Sequence, residues 1–445
     1  MLVLPNTPPL PILGATATLL FPPALMGQKS ELLAVNLTTF NDGIRYVVSL
    51  EKYLKEMCIY LRQNTPDASE NTQFGVGGFS PESIAPAPEF ALVIDYAATT
   101  IVAGEVPWSD IVAPESSTGK FGRTRSAVEW SLCDEVVATV VSITFIYCKI
   151  ASELANELID EPLTQESQEL WKKVVNFYKI AYSYVLFGNK IIGKSQFKPG
   201  TFSLIIKIVE ISMQMSIVAK SSWLNRNSFD QTETFNSNNN GTLARVAIFI
   251  VNEMKNLKTL IQVSSVGLGL NMANWSQYLS LIEKYTIAYA GEFLSIEYYQ
   301  QNKLGQAIGL VNFSLLTLQS KKMDEKTSKL QRLKSKFNSK KNDMLLNKLN
   351  SVSTLNLDKS VFNEKSGVVL NDLSYLFDQL IKLHLKFTKE NNTLVFDTVT
   401  DWKEINKDSK WPTGCQIPVS AVEAYDPFKE TTESKHDYSG KGAYF

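Results

Sequence analysis

Histidines and closely spaced cysteines, the residues of most metal and nucleophile sites, are scarce in this 445-residue chain. A zinc site or a redox dithiol needs such residues close together, and no Ser-His-Asp or Cys-His arrangement is evident. The sequence therefore predicts no metal, no cofactor and no catalytic residue. The two histidines are His384 and His436, and the four scattered cysteines are Cys58, Cys133, Cys148 and Cys415.

An excess of charge of either sign is also absent. The 44 Lys and Arg residues nearly cancel the 45 Asp and Glu residues. No net field therefore draws the chain to phosphate backbones or to anionic lipid. We expect neither nucleic acid nor a small-molecule substrate as its partner.

No secretory or membrane-spanning segment is evident. The chain starts with MLVLPNTPPLPILG, which has no basic region and contains four prolines. The longest uncharged apolar stretch, Val136–Cys148, has 13 residues, fewer than the roughly 20 that cross a bilayer. This stretch predicts a buried core helix, and we expect the protein in the cytoplasm.

Helical periodicity dominates what is present. Apolar residues make up 44% of the chain, enough for a large core. Apolar residues at steps of three and four predict one face of a helix from Leu37 to Leu61. The same spacing predicts further helices at Val128–Leu158, Ser167–Phe187, Phe202–Leu224, Leu243–Val263, Trp275–Gln301, Leu304–Leu318 and Leu370–Phe387.

Several segments interrupt this pattern. Residues 1–27 contain six prolines, which favours an extended segment. Residues 64–88 are rich in Pro, Gly and Ser, and residues 228–241 are polar and of low complexity, so both are predicted loop insertions. Phe90–Ile101 fits a strand or a helix equally well.

Two predicted segments toward the C-terminus are strongly polar. Residues 323–350 place apolar residues among many lysines and predict an amphipathic helix whose basic face is solvated, or else contacts lipid or an acidic partner. Residues 426–445 predict a polar, disordered tail.

A complete P-loop spelling, GNKIIGKS, occupies Gly188–Ser195. A P-loop requires a buried strand before it and a helix that starts at its Lys-Ser pair. Here the preceding residues have helical spacing, and Pro199 would end a new helix within one turn. We expect a helix end and a loop here, with nucleotide binding as the alternative.

Neighbouring carboxylates occur at Asp134-Glu135 and at Asp324-Glu325. Each pair begins a predicted helix, where negative charge is favourable beside the N-terminal amides. We therefore interpret both pairs as helix capping and not as acid–base catalysts.

The segment from Trp108 to Leu154 resembles part of the Bro domain family. In that family a Trp-Asp loop and a Phe-Gly turn lead into a helix of the pattern E-(K)-x-x-V-L-F-N-x-x-A-L-x-S-Q-x-A. Asp134 replaces the family's aromatic residue before the glutamate, and Val, Ser or Thr replaces its Phe-Asn pair. The matching residues are Trp108, Asp110, Phe121, Gly122, Glu135 and Ala151.

Two later segments resemble the same family in the same order. EKYTIAYAGEFLSIEYYQQNKLGQAIGLV, residues 283–311, resembles the family's K-x-G-E-A-I helix pair at Lys303, Gly305, Ala307 and Ile308. Residues 391–418 resemble its closing N-D-F-I-Y-x-D-x-V-P-D segment at Asp397, Val399 and Asp401, with Thr400 replacing the usual proline.

The resemblance implies a mainly α-helical fold. It is a single boomerang-shaped domain over residues 1–425, with a solenoid-like, TPR-like core and a small N-terminal β element. Only a short polar tail follows the closing segment, so we expect no coiled-coil arm of the kind found in ALIX-like relatives. The short PalC-like branch, which acts in fungal ambient-pH signalling, fits this length.

The resemblance also implies a function, that of a non-enzymatic adaptor. Bro domains bind the C-terminal amphipathic helix of the main ESCRT-III filament subunit. PalC-like members also work with pH-signalling components at the plasma membrane. We therefore expect peripheral recruitment from the cytoplasm to the plasma membrane or to endosomes.

The family's docking patch uses an apolar residue on one helix and two residues four apart on the next. The first falls on Met213 or Met215, whose flexible thioethers suit a partner helix. The second falls near Ile248 and Asn252; Val246 with Ile250, or Ala247 with Val251, would keep both residues apolar.

Two other functions remain open from the residues alone. One is a P-loop nucleotide enzyme that uses Lys194 and Ser195. The other is a helical-repeat protein with an unrelated partner, in which Met213 and Met215 are ordinary core residues.

Overall fold

The computed structural model describes a mainly helical protein, which confirms the predicted fold class. It describes residues 2–12, 21–33, 37–66, 88–113, 128–232, 235, 239–262, 267–319, 368–405, 407 and 411–428. Its helices are α1 Pro23–Leu33, α2 Phe40–Asn64, α3 Pro88–Thr99, α4 Leu132–Ile159, α5 Gln165–Ile191, α6 Thr201–Thr232, α7 Asn240–Gln262, α8 Trp275–Gln300, α9 Leu304–Gln319, α10 Val368–Glu390 and α11 Trp402–Ile405.

The helices from α4 to α9 pack in chain order, each against the next. This order is that of a solenoid, in which each helix buries its apolar face against its sequence neighbours. The six predicted helices of this region are confirmed, with ends that differ by a few residues except at the C-terminus of α6.

The long apolar helix α4 lies at the centre, with α2, α3, α5 and α10 packed around it. Both α4 and α6 are long and apolar enough to cross a membrane by length and composition alone. The apolar window of α4 is completely buried inside the protein, and that of α6 is mostly buried. The prediction of a core helix at Val136–Cys148 is therefore confirmed.

Capping boxes set the start of three helices. At α2 the Thr39 hydroxyl accepts from the Asp42 amide, and the Asp42 carboxylate accepts from the Thr39 amide. Ser131 and Asp134 form the same reciprocal pair at α4. The interpretation of Asp134 as a capping residue is confirmed, because these bonds satisfy amides that no helical carbonyl can reach.

Two predicted loops are shorter than expected. Helix α1 begins at Pro23, inside the predicted extended segment 1–27, because proline suits the first turn of a helix. Helix α6 continues through Thr232 and α7 begins at Asn240, so residues 228–232 and 240–241 of the predicted loop 228–241 are helical. Phe229 is buried there and its ring stacks on Phe235 at 5.4 Å, which adds an apolar contact to this polar stretch.

The ambiguous stretch Phe90–Ile101 is a helix followed by a strand. Helix α3 ends at Thr99, and β1 (Ile101–Ala103) pairs antiparallel with β3 (Trp130–Ser131). A second antiparallel pair joins β2 (Ile111–Val112) to β4 (Gly269–Leu270). The predicted small β element is confirmed, although β4 comes from the helical half of the chain.

Several predictions lie outside the described residues. They are residues 67–87 of the 64–88 insertion, the Phe121-Gly122 turn, the Asp324-Glu325 pair, the basic helix 323–350 and residues 429–445 of the tail. Residues 426–428 of the predicted tail are described, and the ring of Phe428 packs 6.1 Å from that of Phe90.

The carboxylate of Glu135 joins the N-terminal part of the protein to α4. It is completely buried and accepts four hydrogen bonds. Lys29 of α1 and Tyr53 of α2 each lie 2.9 Å from Oε1. The indoles of Trp108 and Trp130 donate to Oε2 at 3.0 and 2.9 Å. The sequence interpretation of Glu135 as a capping charge therefore missed its main role, which is to connect four separate segments.

We expect Glu135→Gln to destabilise the fold. The amide keeps the shape of the side chain but leaves the Lys29 ammonium without its counter-charge in the interior. Removing one partner of a buried pair costs about 3–5 kcal/mol. Urea denaturation should show this loss in the free energy of unfolding. The control is Glu129→Gln, at the exposed position directly before β3. It should change the free energy of unfolding by less than about 0.5 kcal/mol. Equal stability of the two variants would contradict the role assigned to Glu135.

Candidate partner-docking face

The five residues predicted to bind a partner helix are all buried in this structure. On α6, Met213 and Met215 are each 5% exposed. On α7, Val246 and Ile250 are 0% exposed and Ile248 is 9% exposed. These side chains belong to the core, so in this conformation they offer no surface to a partner. The alternatives Ala247 and Val251 are buried too, and Asn252 is exposed.

The surface of α6 next to these residues is instead formed by Ile217, Lys220 and Leu224. Each is half-buried, and Leu224 packs on the core. Their spacing of three and four residues puts them on one face of the helix. We call Ile217, Lys220 and Leu224, together with Lys172 of α5, the docking face.

The docking face is positively charged. Burial lowers the pKa of Lys220 and the nearby Lys172 ammonium lowers it further, whereas the Glu169 carboxylate raises it. The Lys172 side chain is 63% exposed and pairs with Glu169 at 2.6 Å. A lysine between two half-buried apolar side chains, Ile217 and Leu224, suits an amphipathic partner helix that also carries acidic residues.

An extended segment, residues 411–428, lies across the same helices, and we call it the C-terminal strap. It forms no helix or strand. From 415 to 420 its side chains alternate: Cys415, Ile417 and Val419 pack toward the core, and the three between and after them are exposed. Alternation of this kind is typical of an extended chain with one covered face.

The strap crosses α7 and then α6. On α7, the carbonyl of Arg245 accepts from the Cys415 amide at 3.1 Å, and the Arg245 guanidinium donates to the Thr413 carbonyl at 2.9 Å. On α6, the amide side chain of Gln214 donates to the Ile417 carbonyl at 2.9 Å and accepts from the Ile417 amide at 3.0 Å. Gln214, which lies between the two predicted methionines, is thereby covered by the chain itself.

Beyond α6 the strap continues over α5. Lys179 donates to the Ser420 hydroxyl at 2.8 Å, and the Tyr425 amide donates to the Ser183 carbonyl at 3.0 Å. The Tyr425 ring stacks on that of Tyr184 with centroids 4.5 Å apart. The sequence prediction missed this segment, although the alternation of Cys415, Ile417 and Val419 is a strand-like signal that could have indicated it.

The P-loop spelling does not form a P-loop. Gly188 lies inside α5, where the ring of Phe202 occupies the space that a Cβ would need. The amide of Ile192 donates to the Gly188 carbonyl, and the amide of Ser195 donates to the Ile192 carbonyl. The Lys194 ammonium pairs with Asp95 at 2.6 Å. The amides and the lysine that would hold phosphate are bonded within the protein, so the expected helix end is confirmed and the nucleotide-binding alternative is contradicted.

The cysteines and acids do not gather into a reactive site. Burial raises the pKa of Cys58, Cys133 and Cys148 to about 12, so these thiols stay protonated at neutral pH. Among the described residues, no group of three His, Cys, Asp or Glu side chains could hold a metal ion.

A second buried carboxyl group, that of Glu292 on α8, lies against α6. Burial raises its pKa to about 7, against the lowering effects of the Ser222 hydrogen bond and the Arg226 charge. The Ser222 hydroxyl lies 3.1 and 3.3 Å from the two carboxyl oxygens. Sequence reasoning did not single out Glu292, although a glutamate within the apolar run 288–294 is a signal of a buried acid.

Glu292 should make stability depend on pH. Its pKa in the folded state, about 7, lies above the ordinary 4.5. Its contribution is therefore complete below about pH 4.5 and is lost as the pH rises toward 7. Between pH 4.5 and pH 8, the free energy of unfolding of the wild type should fall by about 3 kcal/mol more than that of Glu292→Gln.

Urea denaturation at several pH values would measure this difference. Glu166→Gln makes the same change at an exposed position on α5 and should leave the pH profile unchanged. Parallel profiles for the wild type and Glu292→Gln would contradict the assignment.

Comparisons with known proteins give one family match and several similar structures. The model of a family of unknown function (DUF5355) matches residues 130–445. No curated protein matches the sequence. The chain is similar to the ALIX BRO1 domain in a complex with CHMP4C, with a TM-score of 0.49, 13% identity, and coverage of 92% of this chain and 86% of that one.

Two further solved structures are similar at the same level. One is a Bro1 domain from a study of endosomal targeting, with a TM-score of 0.43, 13% identity, and coverage of 88% of this chain and 81% of that one. The other is ALIX with the SIVmac239 PYKEVTEDL late domain, with a TM-score of 0.46, 14% identity, and coverage of 91% of this chain and 45% of that one.

The family match begins at Trp130, within β3, and takes in all the helices from α4 onward. It therefore covers the helical array, the docking face and the strap, and the chain belongs to this family of unknown function, DUF5355.

Proposed function

We propose that this protein is a non-enzymatic adaptor that binds the C-terminal amphipathic helix of the ESCRT-III filament subunit. The partner comes from the Bro-domain resemblance of three sequence segments. The proposed site is the docking face on α5 and α6, because its half-buried apolar side chains and lysines fit a helix with leucine-like anchors and acidic flanks.

The observation that carries the proposal is that two of the resembling segments, remote in sequence, meet in space. The Gly305 amide lies 3.3 Å from the Asp397 carboxylate, and the Gly305 carbonyl accepts from the Thr400 amide at 3.1 Å. The Thr398 carbonyl lies where a Cβ on residue 305 would be, so only glycine fits. Residues that match the family pattern in the two segments are thus in direct contact, which supports the family's fold for these segments.

The remaining resembling segment, Trp108–Leu154, also contains matching residues that contact each other. Trp108 and Glu135, both part of the resemblance, are joined by a buried hydrogen bond of 3.0 Å. A chance match of isolated letters would not be expected to select residues in direct contact. The resemblance is therefore supported at this position too.

We expect a fluorescent peptide of the filament subunit's C-terminal helix to bind with micromolar affinity. Ile217→Ala and Lys220→Glu should each weaken binding about tenfold or more, because one loses an apolar anchor and the other reverses a charge. Fluorescence anisotropy would measure the affinities, and thermal melting would check that the variants fold.

Val48→Ala and Lys55→Glu are matched controls. They make similar changes at exposed positions of α2 and should bind as the wild type does. Saturable binding with the same affinity for the wild type and for both α6 variants would contradict the assigned face. The absence of any binding would contradict the partner and favour a helical protein with a different one.

We propose further that the protein acts in fungal ambient-pH signalling, with pH-signalling components at the plasma membrane as additional partners. The support is the resemblance to the PalC-like branch. On this basis the protein is cytoplasmic and is recruited peripherally to the plasma membrane or endosomes.

A fluorescently tagged protein should move from the cytoplasm to cortical or endosomal spots when cells are shifted to alkaline medium. Lys220→Glu should reduce this movement, because recruitment would depend on the docked filament subunit. A uniform cytoplasmic signal at both pH values would contradict the signalling role.

A further inference from the structure

The C-terminal strap crosses α6 in the middle of its surface. The crossing point is Gln214, and the docking face begins at Ile217 and ends at Leu224. Ten residues separate Gln214 from Leu224, a rise of about 15 Å along the helix. A partner helix that lies along α6 and extends past Ile217 toward the N-terminus of α6 therefore meets the strap at Gln214.

The strap is held unevenly along its length. Its ends carry large aromatic side chains: Trp411 packs 5.5 Å from Phe313 of α9, and Tyr425 stacks on Tyr184 of α5. In the middle, Cys415, Ile417 and Val419 pack toward the helices and are only partly buried, and Gly414 lies against the backbone of Phe249.

Three hydrogen bonds to the middle of the strap involve the side chains of Gln214 and Arg245, and a fourth joins the Cys415 amide to the Arg245 carbonyl. Single hydrogen bonds of this kind contribute modestly, because water replaces them when they break. The middle can therefore lift from α6 and α7 while the aromatic ends stay in place.

We propose that the C-terminal strap is a built-in competitor of the partner helix, which docks fully on α6 and α7 only when the middle of the strap lifts. This rests on the proposed function. The occupant that displaces the strap is an amphipathic helix with acidic flanks, since lifting the strap frees the exposed Arg245 guanidinium from the Thr413 carbonyl. It also uncovers Gln214 and the half-buried Phe249, against whose backbone Gly414 packs.

The strap itself offers a matched pair of variants. Ile417 packs toward the helices, whereas Gln416 beside it is exposed. Ile417→Asp should favour the lifted strap, because a carboxylate is poorly accommodated against the apolar surface. Because apparent affinity scales with the fraction of molecules in the open state, the peptide should bind about tenfold tighter to this variant. Gln416→Asp adds the same charge and should bind as the wild type does.

Hydrogen exchange on the unmodified protein gives a second measurement that does not depend on a variant folding. The Cys415 and Ile417 amides donate to Arg245 and Gln214 and should exchange slowly in the free protein. They should exchange at least several-fold faster when the ESCRT-III peptide is bound, while the Tyr425 amide, at the aromatic end, should keep its protection.

The outcomes separate the two proposals. Wild-type binding with unchanged Cys415 and Ile417 protection, and equal affinities for Ile417→Asp and Gln416→Asp, would overturn the competing strap and leave the proposed function standing. Binding by neither the wild type nor Ile417→Asp would overturn both. Tighter binding by Ile417→Asp alone, with faster exchange in the complex, is the expected result.

Discussion

The rest of the structure depends on one buried charge, the carboxylate of Glu135 at the start of α4. A carboxylate without water is tolerated only when donors surround it. Here an ammonium, a phenol and two indoles supply four hydrogen bonds, and they come from α1, α2, the loop before β2, and β3. Satisfying this one group therefore requires four separate segments to arrive at the same end of the central helix, which fixes how the N-terminal part sits on the helical array.

The residues that carry the Bro-domain resemblance are mostly of this structural kind. Trp108 and Glu135 form part of the buried junction, and Gly305 and Asp397 hold the closing segment against α9. None of them lies on the proposed docking face. The resemblance therefore bears first on the fold, and the function depends on surface residues such as Lys220 that no matched pattern includes.

The location of the candidate site could not be predicted from helix periodicity. The spacing of Met213 and Met215 fits exposed anchors and core residues equally well, because α6 is apolar around most of its circumference. It is enclosed by α5 and α7, with the strap across the face that remains. The strap covers Gln214 with Ile417, which lies two hundred positions further along the chain, and the local sequence of α6 does not indicate such a contact.

The sequence by itself determined the fold class, the helices from α4 to α9, the capping of α4 by Asp134 and the failure of GNKIIGKS as a P-loop, since each follows from local spacing and backbone chemistry. It left Phe90–Ile101 ambiguous, because a short apolar run suits either state until neighbours cover it. Tertiary structure alone decided the role of Glu135, the raised pKa of Glu292 and the covering of Gln214. These depend on desolvation and on partners remote in the chain, and both arise only when the helices pack.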